Sequence, residues 1–327
     1  MKALVLGASG HIGAHVVRAL LAGGHEVRAA YRRESYLGVL EGLPVERARV
    51  DLATLEGLRE ALDGCGWVFH AAAPYPGFRD RVDHAVADSM AQLRRQLEVL
   101  RAARPARVVF TSSAAVIRRV PERPANEEDV EPWPSAQPRL AYATVKVALE
   151  HEILRACAEG LPAVIVNPSL CIGEHDAHLF SGQAVLVFAA GRVPVYIEHM
   201  FNAVYTGDVG AGQVLAAERG RIGERYLLTG RNLPVSEFAR IVAAAAGVRP
   251  PWLQVPYRLA LAAAWVSEQV GRATNTEALL PRELVYTARA GQRLDGSKAI
   301  RELGLPQTPI EEAVARAVRW FRAHGFL

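Results

Sequence analysis

The sequence has few cysteines and no cysteine pair with metal-ligand spacing. Cys65, Cys157 and Cys171 are its only three and are widely separated. Without a CxxC pair, neither a zinc site nor a disulfide framework is expected. We therefore predict no metal and a protein of the reducing cytoplasm.

Long apolar runs are also missing. No run approaches the roughly 20 residues that a membrane-spanning helix needs, so no membrane span is predicted. The alanine-rich stretch Leu259–Val266 is too short to span and predicts a buried or interfacial helix. At the amino end, Ala3–Leu6 leads directly into a glycine loop, which indicates a strand and not a signal peptide.

Charge of one sign is not concentrated anywhere. The 38 Lys and Arg residues exceed the 34 Asp and Glu residues slightly, for a net charge of +4, and the arginines are scattered. A scattered positive charge suits anionic small molecules better than nucleic acid, which we do not expect as a partner. With 327 residues, 50% of them hydrophobic, the chain can bury a large core.

Short apolar runs alternate with helical patterns through the first half of the chain. This alternation predicts an α/β fold, a Rossmann-type doubly wound parallel sheet with a smaller C-terminal substrate lobe. The predicted strands are Ala3–Leu6, Glu26–Ala30, Val45–Val50, Trp67–His70, Arg107–Thr111, Ala163–Val166 and a returning strand at Phe201–Tyr205. The predicted helices are Ile12–Ala22, Leu55–Leu62, Arg81–Ala103, Leu140–Ala158, Asp208–Glu218, Val235–Ala246, Tyr257–Gln269 and Ile310–His324.

The pattern changes near residue 170, which gives the predicted domain limits. Residues 1–170 would form the dinucleotide-binding domain, with a returning segment at about 201–220. Residues 171–200 and 221–327 would form the substrate lobe. A lobe that closes over a nucleotide domain places the substrate between the two.

The glycines of the first loop follow a GxxGxxG spacing between a strand and a helix. Gly7 permits the tight turn, Gly10 lets the backbone approach a pyrophosphate, and Gly13 allows close packing of helix on strand. The free N–H groups of the helix start favour phosphates. We predict a dinucleotide site here, with Ser9, His11 and Ile12 in the same loop; the alternative is a turn without a ligand.

Basic residues follow the second predicted strand, where an NAD-preferring site would carry Asp or Glu. Arg32 can pair with a 2′-phosphate in a bidentate manner, so NADP(H) is the preferred cofactor. Arg33 either helps to bind that phosphate or is an ordinary surface charge. The carboxylate of Glu34 keeps NAD(H) possible as the cofactor.

Two further strand ends are predicted to contact the cofactor. Asp51 and Leu52 close the third strand, where the carboxylate can accept from adenine or can cap a helix beginning near Thr54. Small residues after the fourth strand leave room for a ribose, at Ala71, Ala72 and Ala73. His70, just before them, is predicted to be a packed, hydrogen-bonded histidine and not a catalyst.

Tyr142 and Lys146 are four residues apart on a predicted helix and therefore share one face. A tyrosine has a pKa of about 10, and a neighbouring ammonium lowers it toward the range useful for acid–base work. Thr111 and Ser113 follow the fifth strand, at the sheet edge that faces the cofactor crevice. Ser113 can donate to a substrate oxygen beside Tyr142; the alternative is a turn cap.

Together these segments resemble the extended short-chain dehydrogenase/reductase family, also called the NAD(P)-dependent epimerase/dehydratase family. Within it they are similar to bacterial dihydroflavonol-4-reductase-like and hopanoid-associated sugar epimerase-like proteins. The resemblance rests on GASGHIG at Gly7–Gly13, FHAAA at Phe69–Ala73, TSS at Thr111–Ser113, YATVK at Tyr142–Lys146, VNPSLCIG at Val166–Gly173 and DGSKAIRELG at Asp295–Gly304. His11 and Gln213 depart from the family's usual residues at their positions.

The resemblance implies roles for the matching residues. Tyr142 would transfer the proton, Lys146 would lower its pKa and bind the nicotinamide ribose, and Ser113 would orient the substrate oxygen. Pro168 and Ser169 would line the nicotinamide pocket, and Asn167 would touch the substrate, as in nucleotide-sugar epimerases. The family also tends to form homodimers through two long helices, here Arg81–Ala103 and Leu140–Ala158.

Three functions remain open at this point. The first is an NADP(H)-dependent carbonyl reductase or alcohol dehydrogenase, the second a nucleotide-sugar epimerase or dehydratase with bound NAD, and the third a non-catalytic NADP-sensing regulator. The substrate is a small molecule, and Tyr75, Met200 and Phe201 are its predicted pocket walls. Candidates for a sugar diphosphate are Arg192, Arg282 and Arg289.

Overall fold

The structure is a computed structural model that describes residues 1–33, 35–72, 82–134, 141–274, 276, 282, 285–286 and 291–327. Its strands are β1 Lys2–Leu6, β2 Glu26–Tyr31, β3 Glu46–Arg49, β4 Trp67–His70, β5 Arg107–Thr111, β6 Ala163–Pro168, β7 Leu170–Ile172, β8 Val195–Tyr196, β9 Met200–Tyr205, β10 Arg225–Leu228, β11 Arg231–Pro234 and β12 Leu253–Gln254. Its helices are α1 His11–Ala22, α2 Leu58–Leu62, α3 Val82–Ala103, α4 Ala141–Ala158, α5 Gln183–Ala189, α6 Thr206–Arg219, α7 Val235–Ala246, α8 Tyr257–Thr274, α9 Ser297–Leu303 and α10 Ile310–Ala323.

Seven parallel strands form the central sheet in the order β10-β6-β5-β4-β1-β2-β3. Chain order reverses between β1 and β4, which is the switch point where an open α/β sheet binds its ligand. The α/β fold class and the Rossmann-type sheet predicted from the sequence are confirmed.

Both faces of this sheet are covered, which explains the continuous apolar character of β1. Ala3 and Val5 belong to the core beneath α1 and α6, whereas Leu4 and Leu6 belong to the core beneath α3 and α4. Successive side chains of a strand point to opposite faces, so a strand between two helical layers must be apolar at every position.

The remaining strands form a second, smaller layer. One sheet has the order β11-β9-β7, and a two-stranded sheet pairs β12 with β8. Helices α7 and α10 pack on each other, and α10 also packs on β9. Among the described residues, none of the helices combines the length and the hydropathy that a membrane crossing requires.

One prediction about the sheets is wrong. The strand expected to return to the main sheet at Phe201–Tyr205 is β9, which pairs with β7 and β11 instead. The strand that does return is β10, beside β6, although its residues fall in the range predicted for the lobe. An apolar run shows that a strand is buried, but the partner strand is set by long-range packing.

The predicted helix at Leu55–Leu62 also begins too early. Leu55 and Gly57 have positive φ angles of 68° and 74°, so the chain cannot be helical before Leu58. The site of Gly57 explains the break, because a Cβ there would lie 2.2 Å from the Arg49 carbonyl oxygen. The helical spacing of apolar residues in the sequence does not reveal such a close approach between Gly57 and the Arg49 carbonyl.

Candidate active site

The glycine loop turns directly from β1 into α1. Gly7 has a φ of +81°, and a Cβ there would lie 3.0 Å from both the backbone nitrogen and the Cβ of Ala72. A Cβ on Gly13 would lie only 2.0 Å from the Gly7 carbonyl oxygen. These contacts require glycine at both positions and leave the first N–H groups of α1 facing outward from the loop. The geometry fits a pyrophosphate held by backbone donors.

His11 connects this loop to the second layer. Its ring is buried, with Nε2 2.9 Å from the Thr206 hydroxyl and Nδ1 3.3 Å from the Ser181 hydroxyl. Burial lowers the pKa of His11, although the nearby carboxylate of Asp176 opposes the shift. Asp176 is fully buried and accepts a backbone hydrogen bond from Gly182 at 2.7 Å. The His11 side chain is therefore structural, and only its backbone can serve a ligand in the loop.

The strand end after β2 carries the two arginines predicted for a 2′-phosphate. Arg32 and Arg33 are both exposed. The Arg32 backbone is held in a turn, because its N–H donates to the Ser35 hydroxyl at 3.0 Å. Glu34 lies outside the described residues.

The ends of β3 and β4 carry the residues predicted near the adenine and ribose. The Asp51 carboxylate accepts from the backbone N–H groups of Ala53 and Thr54, at 2.7 and 3.2 Å, so it stabilises a turn, while Leu52 is half-buried. Ala71 and Ala72 follow β4 beside the glycine loop, and Ala73 lies outside the described residues.

His70 is buried and hydrogen bonded, as the sequence analysis predicted. Its Nε2 lies 2.8 Å from the Gln96 side-chain oxygen, and Gln96 in turn donates to the Leu52 carbonyl at 3.0 Å. Burial lowers the pKa of His70 and so favours a neutral ring. The residue ties β4 to α3 and does not face the crevice as a free acid or base.

Tyr142 and Lys146 lie on the same face of α4. The Lys146 Nζ is 5.8 Å from the centre of the Tyr142 ring and donates to the Thr111 carbonyl at 3.2 Å. Lys146 is 5% exposed, and this burial lowers its pKa to about 8, with Glu150 acting in the opposite direction. A buried amine beside a tyrosine is an arrangement suited to proton transfer.

The carboxyl end of β5 places Ser113 near this pair. Ser113 precedes a short 3-10 turn, and its hydroxyl oxygen accepts from the Ala115 N–H at 3.1 Å. The Thr111 hydroxyl donates to the Gln213 side-chain oxygen at 3.2 Å. Pro168 ends the neighbouring strand β6, and the following Ser169 donates to Asn202 at 2.7 Å. Thr111 and Pro168 thus end two adjacent parallel strands, and Ser113 and Ser169 follow them at the same sheet edge.

A buried carboxylate beneath this edge was missed by the sequence analysis. Glu150 accepts from the Ser112 hydroxyl at 2.7 Å, from the Asn167 amide at 2.9 Å and from the Arg225 Nε at 2.7 Å. Its position could have been found, because it lies one further helical turn beyond Lys146 on the same side of α4. Arg225 could not, since β10 was not predicted.

Asn167, predicted to touch the substrate, is fully buried. Its amide donates to the Ser113 carbonyl at 3.1 Å as well as to Glu150. The structure therefore connects it to the backbone that carries Ser113. Phe201, another predicted pocket wall, packs on Phe238 with ring centres 5.4 Å apart, and Tyr75 lies outside the described residues.

A cavity of about 840 Å³ lies between the loop after Ser113 and the second layer. Met200 lines it, as predicted for a substrate wall. Its charged lining residues are Arg119, Glu198, Arg258 and Arg293. These arginines differ from the sequence candidates: Arg282 is bound by Glu268 through Nε at 2.8 Å, Arg192 is exposed, and Arg289 lies outside the described residues.

The part of the chain that the structure describes contains no cluster of metal-ligating side chains. No group of three or more His, Cys, Asp or Glu side chains there could hold an ion. The candidate chemistry consists of the tyrosine, the buried lysine, the serine and the glycine-loop crevice.

A doubly wound sheet with this loop and this tyrosine–lysine helix defines a dinucleotide-dependent enzyme of the short-chain dehydrogenase superfamily. The chain belongs to the NAD dependent epimerase/dehydratase family, whose pattern it matches over residues 3–228.

Several known proteins are similar to the chain along its whole length. It is 35% identical to "Sterol demethylase protein B" of Methylococcus capsulatus, over 100% of both chains. It is 33% identical to "Putative dihydroflavonol 4-reductase" of Synechocystis, over 99% of this chain and 95% of the relative. A nucleoside-diphosphate-sugar epimerase of Pseudomonas aeruginosa has a similar structure, with 30% identity, a TM-score of 0.83 and coverage of 100% and 99%. Reductases and epimerases are thus both among the similar proteins.

Proposed function

We propose that the protein is an NADP(H)-dependent oxidoreductase that reduces a carbonyl group, or oxidises the corresponding alcohol. The observation that carries this proposal is the burial of Lys146 beside Tyr142, at the sheet edge where Thr111 and Ser113 end β5. A buried ammonium has few reasons to persist in a structural core, whereas it suits a tyrosine that must give up a proton.

The cofactor would lie across the switch point of the sheet. Backbone N–H groups of Ser9, His11 and Ile12 would receive the pyrophosphate, because Gly7 and Gly13 bring loop and helix close together. Gly10 would leave room for the pyrophosphate, while its own N–H donates to the Gly7 carbonyl at 3.0 Å. Asp51, Leu52, Ala71, Ala72 and Ala73 would border the adenosine, and Thr111, Tyr142, Lys146, Pro168 and Ser169 the nicotinamide half.

The chain's own residues then handle the oxygen of the substrate. Ser113 donates a hydrogen bond to that oxygen and fixes its position beside the Tyr142 hydroxyl. Tyr142 transfers its proton to the oxygen as the carbonyl carbon is reduced, and Lys146 stabilises the resulting phenolate. When bound, the reduced nicotinamide supplies the hydride for that carbon.

Preference for NADP(H) rests on Arg32, which is exposed at the end of β2. A guanidinium there can form a bidentate pair with a 2′-phosphate. Arg32→Ala should raise the Kd of NADPH about tenfold or more and leave that of NADH nearly unchanged. Fluorescence titration measures both, with Arg47→Ala on exposed β3 as the control. Equal losses for the two cofactors would contradict this role.

A nucleotide-sugar epimerase is the second candidate, and the cavity charge favours it. The cavity lining contains three arginines, Arg119, Arg258 and Arg293, and one carboxylate, Glu198, and this excess of positive charge suits an anionic substrate. An epimerase would retain NAD and return the hydride to the same substrate.

Purified protein distinguishes the candidates. A reductase consumes NADPH at 340 nm with one of a panel of ketones and aldehydes, and Tyr142→Phe lowers kcat by a factor of about 10² to 10⁴ with little change in cofactor affinity. Retained NAD in the protein as isolated, with interconversion of a nucleotide sugar, would favour the epimerase. An unchanged kcat in Tyr142→Phe would contradict the proposed chemistry in either case.

Two proposals concern the context of the enzyme. Helices α3 and α4 pack together, and we propose that they form the face of a homodimer, as is usual in the resembling family. Cytoplasmic location is proposed from the three free thiols, of which Cys65 and Cys171 are buried.

A further inference from the structure

Helix α8 carries exposed apolar side chains in addition to its buried ones. Ala260 and Ala264 are buried on the inner face, in a small cluster with Val285. Leu259, Val266 and Val270 are 63%, 52% and 54% exposed. Their spacing of seven and four residues puts them in one stripe, about 120° around the helix from the buried alanines. A surface helix normally presents polar residues there.

Large amphipathic side chains form a second exposed row on the same helix. Arg258, Trp265 and Arg272 recur every seven residues and lie about 120° around α8 from the stripe, with small or polar residues between the two rows. Trp265 is 53% exposed, and Trp252, just before the helix, is 76% exposed. Tryptophan and arginine beside exposed aliphatic residues are typical of helices that lie in the interface of a lipid bilayer.

This segment carries a net positive charge. Between Val248 and Thr274 the sequence contains Arg249, Arg258 and Arg272, and its single acidic residue is Glu268. Glu268 accepts from the Arg282 backbone N–H at 2.9 Å and from the Arg282 Nε at 2.8 Å. These hydrogen bonds lower the pKa of Glu268, and the nearby charge of Arg272 acts in the same direction. Within the described residues, α8 and the segment before it therefore present exposed apolar surface with more positive than negative charge.

These features favour one kind of partner for the exposed side of α8. A second copy of the chain docked α8 against α8 would bring the arginine row of one helix beside that of the other, which places like charges together. Anionic lipid headgroups complement the arginines, and the acyl boundary accommodates leucine, valine and tryptophan. We propose that α8 docks the protein onto the surface of an anionic lipid bilayer, with its outer stripe in the headgroup region.

Docking through α8 also orients the cavity. Tyr257, Arg258 and Leu261 at the start of the same helix line the 840 Å³ cavity. The cavity opening would then lie close to the bilayer surface, in reach of amphipathic small molecules. The docking itself is independent of the reaction proposed above.

Co-sedimentation with vesicles tests the docking. The full-length protein is mixed with phosphatidylcholine vesicles, or with vesicles of phosphatidylcholine and phosphatidylglycerol at 3:1. We expect binding to the second kind, and loss of most of it in Val266→Ser/Val270→Ser. Each arginine near an anionic surface contributes about a fivefold change in affinity, so Arg258→Gln/Arg272→Gln should bind roughly 25-fold more weakly.

Matched controls separate the stripe from general stickiness. Ile222→Ser removes another exposed aliphatic residue, 54% exposed, and Arg301→Gln/Arg319→Gln removes the same charge from α9 and α10. Neither should alter vesicle binding. The proposal is overturned if the wild-type protein stays in the supernatant with both vesicles, or if the controls lose as much binding as the stripe variants. Concentration-dependent dimers that Val266→Ser/Val270→Ser abolishes, without vesicle binding, would assign the stripe to a second copy instead.

Discussion

Replacing Lys146 with methionine should make the protein more stable at neutral pH. The lysine is 5% exposed, and burial lowers its pKa from the ordinary 10.5 to about 8. Methionine has a similar length and carries no charge, so Lys146→Met removes the cost of holding an ammonium in the core. The same substitution should abolish turnover, because the Tyr142 phenolate loses its neighbouring cation.

The difference between the folded and unfolded pKa of Lys146 sets how much stability the substitution gains. A fall from 10.5 to about 8 corresponds to about 3 kcal/mol of lost stability while the lysine is charged in both states. Loss of the hydrogen bond to the Thr111 carbonyl offsets about 1 kcal/mol of the gain. We therefore expect the free energy of unfolding of Lys146→Met to exceed that of the wild type by about 2 kcal/mol at pH 7.

The stability advantage of Lys146→Met over the wild type should decrease as the pH rises. Between pH 8 and 10.5 the unfolded chain binds more protons at this lysine than the folded one, so raising the pH stabilises the wild type through this group. The advantage of Lys146→Met should accordingly shrink to near zero by about pH 10. Below pH 7 it should stay constant.

Urea unfolding of the cofactor-free wild type and Lys146→Met at pH 7 and at pH 10 measures the stability difference and its dependence on pH. Lys298→Met is the control, because Lys298 donates to Glu224 at 2.6 Å and its loss removes a favourable ion pair. That variant should be no more stable than the wild type at pH 7. A Lys146→Met protein that is less stable at pH 7, or whose difference does not change with pH, would refute the reasoning.

Two further predictions concern the glycine loop and the carboxylate beneath the active site. Gly13→Ala places a Cβ 2.0 Å from the Gly7 carbonyl oxygen and should destabilise the protein by about 2 kcal/mol in urea unfolding, whereas Gly10→Ala, with its nearest protein contact at 3.3 Å, should be far milder in the same unfolding measurement. A similar loss in both would contradict the close approach of α1. Arg225→Gln leaves the buried Glu150 carboxylate without its charged partner and should lower the free energy of unfolding in urea by about 3 kcal/mol. The double variant Glu150→Gln/Arg225→Gln should recover part of this stability. If it recovers none, the arginine stabilises the protein through packing alone.

The elements that could be predicted are those with local signals. β4 and β5 begin and end as predicted because each is a short continuous apolar run, and α7 does so because its apolar residues recur at helical spacing between Pro234 and Gly247. The glycine loop could be recognised because the φ of +81° at Gly7 and the close approach at Gly13 demand glycine. The positions of Tyr142 and Lys146 on one helix face follow from their spacing.

Long-range partners could not be predicted in the same way. Nothing local shows that β9 leaves the main sheet while β10 joins it, because both are short apolar strands whose pairing depends on the whole fold. Asn167 shows the same limit, because its hydrogen bonds to Glu150 and to the Ser113 carbonyl join segments that are distant in the sequence.

The sequence by itself determined the fold class, the glycine loop and the family, since these depend on residue types at fixed spacing. Tertiary structure alone decided which charges are buried. It placed Lys146 in the core, paired Glu150 with Arg225, brought Arg119, Arg258 and Arg293 to one cavity, and left the outer stripe of α8 exposed. The physical reason is that burial, and with it the pKa of an amine or the fate of an apolar stripe, depends on what the rest of the chain packs against it.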